Sequence, residues 1–163
     1  MAVTLFRTDK EIEEIYNTYV NMLYRLCYSY MKNPADAEDA VQNTFLKLIR
    51  FCPKFKSIEH QKAWLITVAS NVCKDELKNM WKKTSHFDEL SNTQPFVEIG
   101  KSDIFEAVMQ LPNKYKTVVY LYYYEEYTSA EIAKMIKKNH STVRNYLSEA
   151  RKLLQKHLGG KGD

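Results

Sequence analysis

Glu131 to Arg151 reads E-I-A-K-M-I-K-K-N-H-S-T-V-R-N-Y-L-S-E-A-R. The pattern is two helices joined by a tight turn. The first packs through Ile132, Ala133 and Ile136, and the small Ala133 lets a second helix cross closely. The second buries Val143, Leu147, Ala150 and Leu154 at helical spacing. That register turns Ser141, Thr142, Arg144, Asn145, Ser148, Arg151 and Lys152 outward, with His140 at the start of the helix. Hydroxyl, carboxamide and guanidinium groups donate hydrogen bonds to base edges, the cations meet phosphates, and a major groove admits one helix. A plain helical hairpin with a solvated basic face fits less well, because this face mixes hydrogen-bonding groups with bases.

A second set lies upstream. Lys74, Lys78 and Lys82 recur every four residues and share a helix face with Asn71. The three ammonium groups line up on one side of that helix. Trp64 reads as core, and Trp81 stands beside Lys82 and Lys83 at the helix end. Asp39, Gln42 and Asn43 lie on a polar helix face opposite a buried stripe, and Leu46 is off that stripe. The acids Asp36, Glu38 and Asp39 belong to a helix start. Tyr120, Tyr122, Tyr123, Tyr124 and Tyr127 read as aromatic packing of a small domain. His60, His86, His140 and His157 make no metal spacing with the cysteines. Glycine-rich phosphate loops, nucleophile elbows and paired carboxylates are missing too. Neither a metal nor a cofactor is expected, and no enzyme.

These residues need helices to place them. Thr8 to Glu11 is a capping box, followed by the stripe Ile12, Ile15, Tyr16, Tyr19, Met22, Leu23, Leu26, Cys27, Tyr30 and Met31. Asn33-Pro34 closes that helix and opens the next, whose buried stripe is Ala37, Ala40, Val41, Thr44, Phe45, Leu48 and Ile49. Phe51 to Glu59 reads as a loop. A third helix is predicted from about His60 to Lys82, burying Leu65, Val68, Ala69, Val72, Cys73, Leu77 and Met80. Thr84 to Lys101 lacks a period, is acidic and reads as a flexible linker. Four short helices follow, about Ser102–Gln110, Pro112–Tyr124, a helix opened by the capping box Thr128 to Glu131 and ending near Ile136, and Ser141–Leu158, with a turn over Lys137 to His140.

The totals agree with an all-α chain of two small domains. Four glycines and four prolines in 163 residues disfavour many strands. The net charge of +4 decides little, but its distribution is uneven. Lys134 to Lys156 holds seven bases against Glu149 alone, whereas Thr84 to Asp103 holds four acids against Lys101. Cys27, Cys52 and Cys73 read as reduced thiols. A leader pattern and a run of ~18 apolar residues are both missing, so a cytoplasmic protein without membrane insertion is expected.

At this point the segments resemble a known family. P-N-K-Y-K-T-V-V-Y-L-Y-Y-Y-E-E-Y-T-S-A-E-I-A-K-M-I is similar to region 4 of extracytoplasmic-function sigma factors. N-P-A-D-A-E-D-A-V-Q-N-T-F-L-K-L resembles their region 2.2, and A-W-L-I-T-V-A-S-N-V-C-K-D-E-L-K-N their regions 2.3 and 2.4. The resemblance runs from about Tyr16 to Leu154. It implies region 2 over 1–83, a linker over 84–101 and region 4 over 102–163. It implies a factor that binds core RNA polymerase, through the β′ clamp helices and the β flap, and directs promoter recognition and melting. Asp39, Gln42, Asn43 and Leu46 would dock on polymerase. Lys56, Asn71, Lys74, Lys78, Trp81 and Lys82 would meet the −10 element, with the loop Lys54 to His60 reading bases. His140, Ser141, Thr142, Arg144, Asn145, Ser148, Arg151 and Lys152 would meet the −35 element. An anti-sigma factor is an implied partner, and a monomer is expected when free.

Four positions depart from the family pattern. Asn43 stands where an acid is more common, and Tyr146 where arginine is. Lys138 replaces an apolar residue. Lys137 replaces the glycine of the turn, where a left-handed residue costs ~1 kcal/mol or more, so a looser or differently shaped turn is expected. Two other classes compete with this reading. A stand-alone helix-turn-helix regulator leaves the first half unexplained and usually dimerises. A nucleic-acid enzyme lacks a visible site.

Overall fold

Thr8 starts α1 as the sequence predicts. Its side-chain oxygen accepts from the Glu11 amide at 3.1 Å, and Glu11 reaches back to the Thr8 amide at 3.5 Å. The computed structural model describes residues 7–82 and 103–159. The chain divides into two units, Met1–Glu98 and Ile99–Asp163. All elements among the described residues are helical, and none is long and apolar enough to cross a membrane.

In the first unit α1 (Asp9–Met31), α2 (Pro34–Phe51) and α3 (Ile58–Lys82) pack each against the other two. Asn33 caps α2, accepting from the Asp36 amide at 2.9 Å, with Pro34 at the first helical position. Leu23, Leu26, Cys27, Ala37, Ala40, Leu48, Leu65, Ile66, Ala69 and Cys73 are wholly buried and form the centre. Each large aliphatic among them contributes ~1.5–3 kcal/mol.

Three sequence expectations need correction here. Tyr16 and Ile49 lie at the margins of their stripes, 39% and 47% exposed. Each apolar stripe is wider than the face its neighbouring helices cover, so its flank meets solvent. Val68, Leu77 and Met80 are half-buried for the same reason. And α3 begins at Ile58, two residues before His60, because Ser57 caps it: the Ser57 hydroxyl accepts from the His60 amide at 3.0 Å. The loop shrinks to 52–57.

In the second unit α4 (Asp103–Met109), α5 (Asn113–Val119), α6 (Ser129–Ile136) and α7 (His140–Gly159) surround a core of Ala107, Val108, Leu111, Tyr115, Val119, Ala150 and Leu154. The predicted helix Pro112–Tyr124 is α5 followed by a π-helical turn, Tyr120–Tyr124. There Tyr120 and Tyr124 stack with centroids 5.3 Å apart. Tyr120 is buried, Tyr122, Tyr124 and Tyr127 half-buried, and Tyr123 is 43% exposed. The tyrosine run is therefore mostly packing, as expected.

The linker expected over 84–101 lies outside the described residues, as do the side chains of Trp81 and Lys82.

Candidate nucleic-acid interface

α6 and α7 form the helix-turn-helix. Thr128 caps α6 with a second full box: its hydroxyl accepts from the Glu131 amide at 3.1 Å, and Glu131 accepts from the Thr128 amide at 2.9 Å. Those hydrogen bonds hold the Glu131 carboxyl below its usual range. Ile132 and Ala133 bury against α7, whose own buried line is Val143, Leu147, Ala150 and Leu154.

The turn corrects the expectation of an altered shape. Lys137 adopts the left-handed conformation itself, φ 57 and ψ 46. The amides of both Lys137 and Lys138 donate to the Ala133 carbonyl, the latter at 3.1 Å. The Lys138 bond closes the six-residue ring of a Schellman stop. The backbone keeps the glycine geometry and lysine bears its strain. Lys32 and Cys52 do likewise at the ends of α1 and α2, with φ 67 and 41.

The turn sets α7 so that His140, Ser141, Arg144, Asn145, Ser148, Arg151 and Lys152 are exposed together, while Thr142 is half-buried. Three of these already have partners. His140 Nε2 lies 2.7 Å from Ser129 Oγ, tying the first turns of α6 and α7 together. Arg151 Nε donates to the Tyr123 hydroxyl at 3.4 Å, which pushes the guanidinium pKa still higher. Lys152 pairs with Glu149 at 3.8 Å, both exposed, a contact worth little. The centre of the donor surface is thus Ser141, Arg144, Asn145 and Ser148. Tyr146 faces the core side, edge-on to Tyr115 at 5.4 Å, which explains why a packing residue replaces a cation there.

On α3, Asn71 and Lys78 are exposed and Lys74 half-buried, on one side of the helix as the spacing requires. Asp75 is exposed beside them, an acid the stripe of lysines conceals in sequence. Lys56 is exposed in the preceding loop, and its amide donates to His60 Nδ1 at 3.1 Å. On α2, Asp39, Gln42, Asn43 and Leu46 are all exposed, Leu46 at 60%. Asn43 does more than face outward: its amide donates to Glu76 Oε1 of α3 at 2.8 Å. Burial raises the Glu76 carboxyl pKa, the Asn43 bond opposes this, and Asp39 and Asp36 add to the rise.

Sequence reasoning missed several residues. Glu76 carried no signal, being one acid among lysines. Arg7 lies ahead of the first predicted helix yet reaches the 52–57 loop. An apolar groove of about 580 Å³, lined by Ile104, Val108, Tyr123, Arg151, Leu154 and Leu158, was invisible because its walls come from three elements. Among the described residues no cluster of His, Cys, Asp or Glu could hold a metal ion.

Comparison with known proteins places these units. Residues 15–88 match the family model for sigma-70 region 2, and residues 101–154 that for sigma-70 region 4. RNA polymerase sigma factor SigV of Bacillus subtilis is 33% identical over 141 residues, covering 83% of each chain. The ECF RNA polymerase sigma factor SigM of the same organism is 28% identical over 154 residues, 88% of this chain and 93% of the relative. In fold, the sigma factor RpoE from Bartonella quintana, solved in complex with the anti-sigma factor NepR, matches with a TM-score of 0.71 at 20% identity, over 92% of this chain and 98% of that one. With both sigma-70 regions present in family order, the chain belongs to the RNA polymerase sigma factors of the extracytoplasmic-function type.

Proposed function

We propose that the protein binds core RNA polymerase and directs it to promoters, reading the −35 element with α7 and opening the −10 element with α3 and the loop before it. One observation carries this reading furthest: the helix-turn-helix keeps its left-handed stop at Lys137 without glycine, and so presents Ser141, Arg144, Asn145 and Ser148 as one exposed donor surface. His140, Thr142, Arg151 and Lys152 border it and suit phosphates.

Region 2 spans 1–83 and region 4 spans 102–163, joined by 84–101. Asp39, Gln42, Asn43 and Leu46 form the docking face for the β′ clamp helices; four exposed residues on one side of α2 support this. Lys56, Asn71, Lys74 and Lys78, continued along α3 by Trp81 and Lys82, serve the −10 strand. The apolar groove beside α7 suits the β flap. The protein acts by binding and catalyses nothing alone, works in the cytoplasm as a monomer when free, and answers to an anti-sigma factor. A stand-alone regulator is disfavoured, since region 2 would then have no task.

Run-off transcription tests this. Core polymerase lacking sigma and fragmented DNA of the source genome are mixed with and without the protein. Discrete transcripts that require the protein are expected. Failure to bind core or to yield any transcript overturns the proposal.

A further inference from the structure

Arg7 precedes α1 and lies 45 or more residues from the loop it touches. Its guanidinium makes three contacts with the segment 52–57. Nη2 donates to the Pro53 carbonyl. Nη1 lies 3.8 Å from Cys52 Sγ. The guanidinium carbon sits 4.7 Å from the centre of the Phe55 ring. A planar fork that donates along its edge while its face lies on an aromatic ring is a task arginine performs and lysine does only in part.

The loop is tied from its other side as well. Phe55 meets the rings of His60 and Trp64 edge-on, at 5.5 and 5.8 Å. His60 Nδ1 accepts the Lys56 amide, and Ser57 caps α3. At the loop's entry Cys52 takes a left-handed conformation, φ 41, which a non-glycine residue holds only when its surroundings determine it. The segment is thus a short connection clamped between α1's leading residue and α3's first turns. Such a loop is preformed, and a preformed loop does not spend ordering entropy on binding a ligand.

We propose that Arg7 is a positioning residue for promoter reading: it fixes the 52–57 loop in the shape that receives an unstacked base of the melted strand. The inference rests on the −10 role of this loop given above. Arg7 touches no base itself; it acts through Pro53 and Phe55. An unstacked base needs a pocket of fixed shape, so losing the clamp weakens capture and blurs the choice of base.

The test uses full-length protein assembled with core polymerase. The probe is a fluorescent single-stranded oligonucleotide of the non-template −10 segment from a promoter mapped by run-off transcription, with a second strand carrying one substituted base. Arg7→Ala is expected to bind the matched strand about tenfold more weakly, and the preference for matched over substituted strand is expected to shrink. Arg7→Lys should restore part of both. Core binding and the far-ultraviolet helix signal should match wild type. A merely structural role would lower affinity for both strands equally and leave their ratio intact, which overturns the proposal. So does an Arg7→Ala holoenzyme that binds and discriminates as wild type does. If wild-type holoenzyme initiates from the promoter yet ignores the single strand, the −10 role of the loop fails and the inference with it. If it does not initiate at all, the sigma reading fails first.

Discussion

Asn43 and Glu76 join α2 to α3: the Asn43 amide donates to Glu76 Oε1 across 2.8 Å. Asn43 sits among the residues proposed to meet polymerase, at a position where the family resemblance leads one to expect an acid. The contact gives a physical reason for the amide. A carboxylate at this place would oppose Glu76, which already feels Asp39 and Asp36. The amide offers a donor instead, and the two helices are held by a hydrogen bond rather than pushed apart by a fourth negative charge.

Asn43→Asp is therefore expected to cost about 1 kcal/mol of stability at pH 7. The loss should shrink as the pH falls and one of the paired carboxyls takes up a proton. Urea unfolding of both proteins at pH 7.5 and pH 4.5 measures this. Equal losses at the two pH values would mean that repulsion from Glu76 plays no part.

Glu76 predicts a pH dependence of its own. Its carboxyl pKa is raised in the fold, chiefly by burial. The folded state therefore holds the proton more firmly than the unfolded chain does. The associated stability is fully present below the unfolded pKa and lost as pH rises through the folded one. Glu76→Gln keeps an acceptor for Asn43 and removes the charge. Its melting temperature should exceed that of wild type by about 2 °C at pH 8, with the difference closing near pH 4. A variant that melts lower at pH 8 would show that the carboxylate is better satisfied than its burial implies.

Local signals explain what the sequence made legible. The capping boxes at Thr8 and Thr128, the Asn33-Pro34 start, the buried line of α2 as far as Leu48 and that of α7 depend on residues three or four apart, and the structure keeps them. The Asn43–Glu76 bond and the Arg7 contacts span 33 and 45 or more residues, and no periodicity encodes them. The apolar stripe of α1 is wider than its buried face at Tyr16, because sequence shows which residues are apolar but not how much of a helix its neighbours cover. Ser57 is a local signal too: a serine three residues before His60 is an ordinary cap, and it accounts for α3 beginning at Ile58.

The left-handed turn at Lys137 has a measurable cost. It holds φ 57 in the helix-turn-helix, where a side chain is strained. Lys137→Gly is expected to stabilise the protein by about 1 kcal/mol, a rise of roughly 4–8 °C in the melting of a domain this small. If Lys137 also neutralises a phosphate, the same variant lowers the salt dependence of DNA binding by about one unit of slope. A stability gain with unchanged salt slope would place Lys137 off the DNA.

The cysteines differ in environment. Cys27 and Cys73 are wholly buried, and the hydrogen bond between them, followed by burial, raises the Cys27 thiol pKa. Cys52 is half-buried at the end of α2 beside Arg7. Reaction requires a reachable thiolate. An aromatic disulfide reagent should thus modify one thiol of the native protein quickly, Cys52 by peptide mapping, and the other two only on unfolding. Rapid reaction at Cys27 would show that the three-helix core opens more readily than its packing suggests.

Arg144 and Lys152 should separate reading from attraction on α7. Arg144 lies in the exposed donor surface with Ser141, Asn145 and Ser148, and a guanidinium can pair with two acceptors of one base. Arg144→Ala is expected to cost about 1–3 kcal/mol on the preferred −35 sequence and much less on substituted ones. Lys152 is exposed at the margin and shares its charge with Glu149 at 3.8 Å. Lys152→Ala should weaken all sequences alike, and by less than a lysine without such a neighbour would. Binding of duplex −35 DNA at several salt concentrations distinguishes the two, with core polymerase binding as the control. If Arg144→Ala also reduces core binding, the face of α7 touches protein rather than DNA. If both variants lose affinity equally on every sequence, α7 holds the duplex without reading it, and specificity has to come from the shape of the DNA.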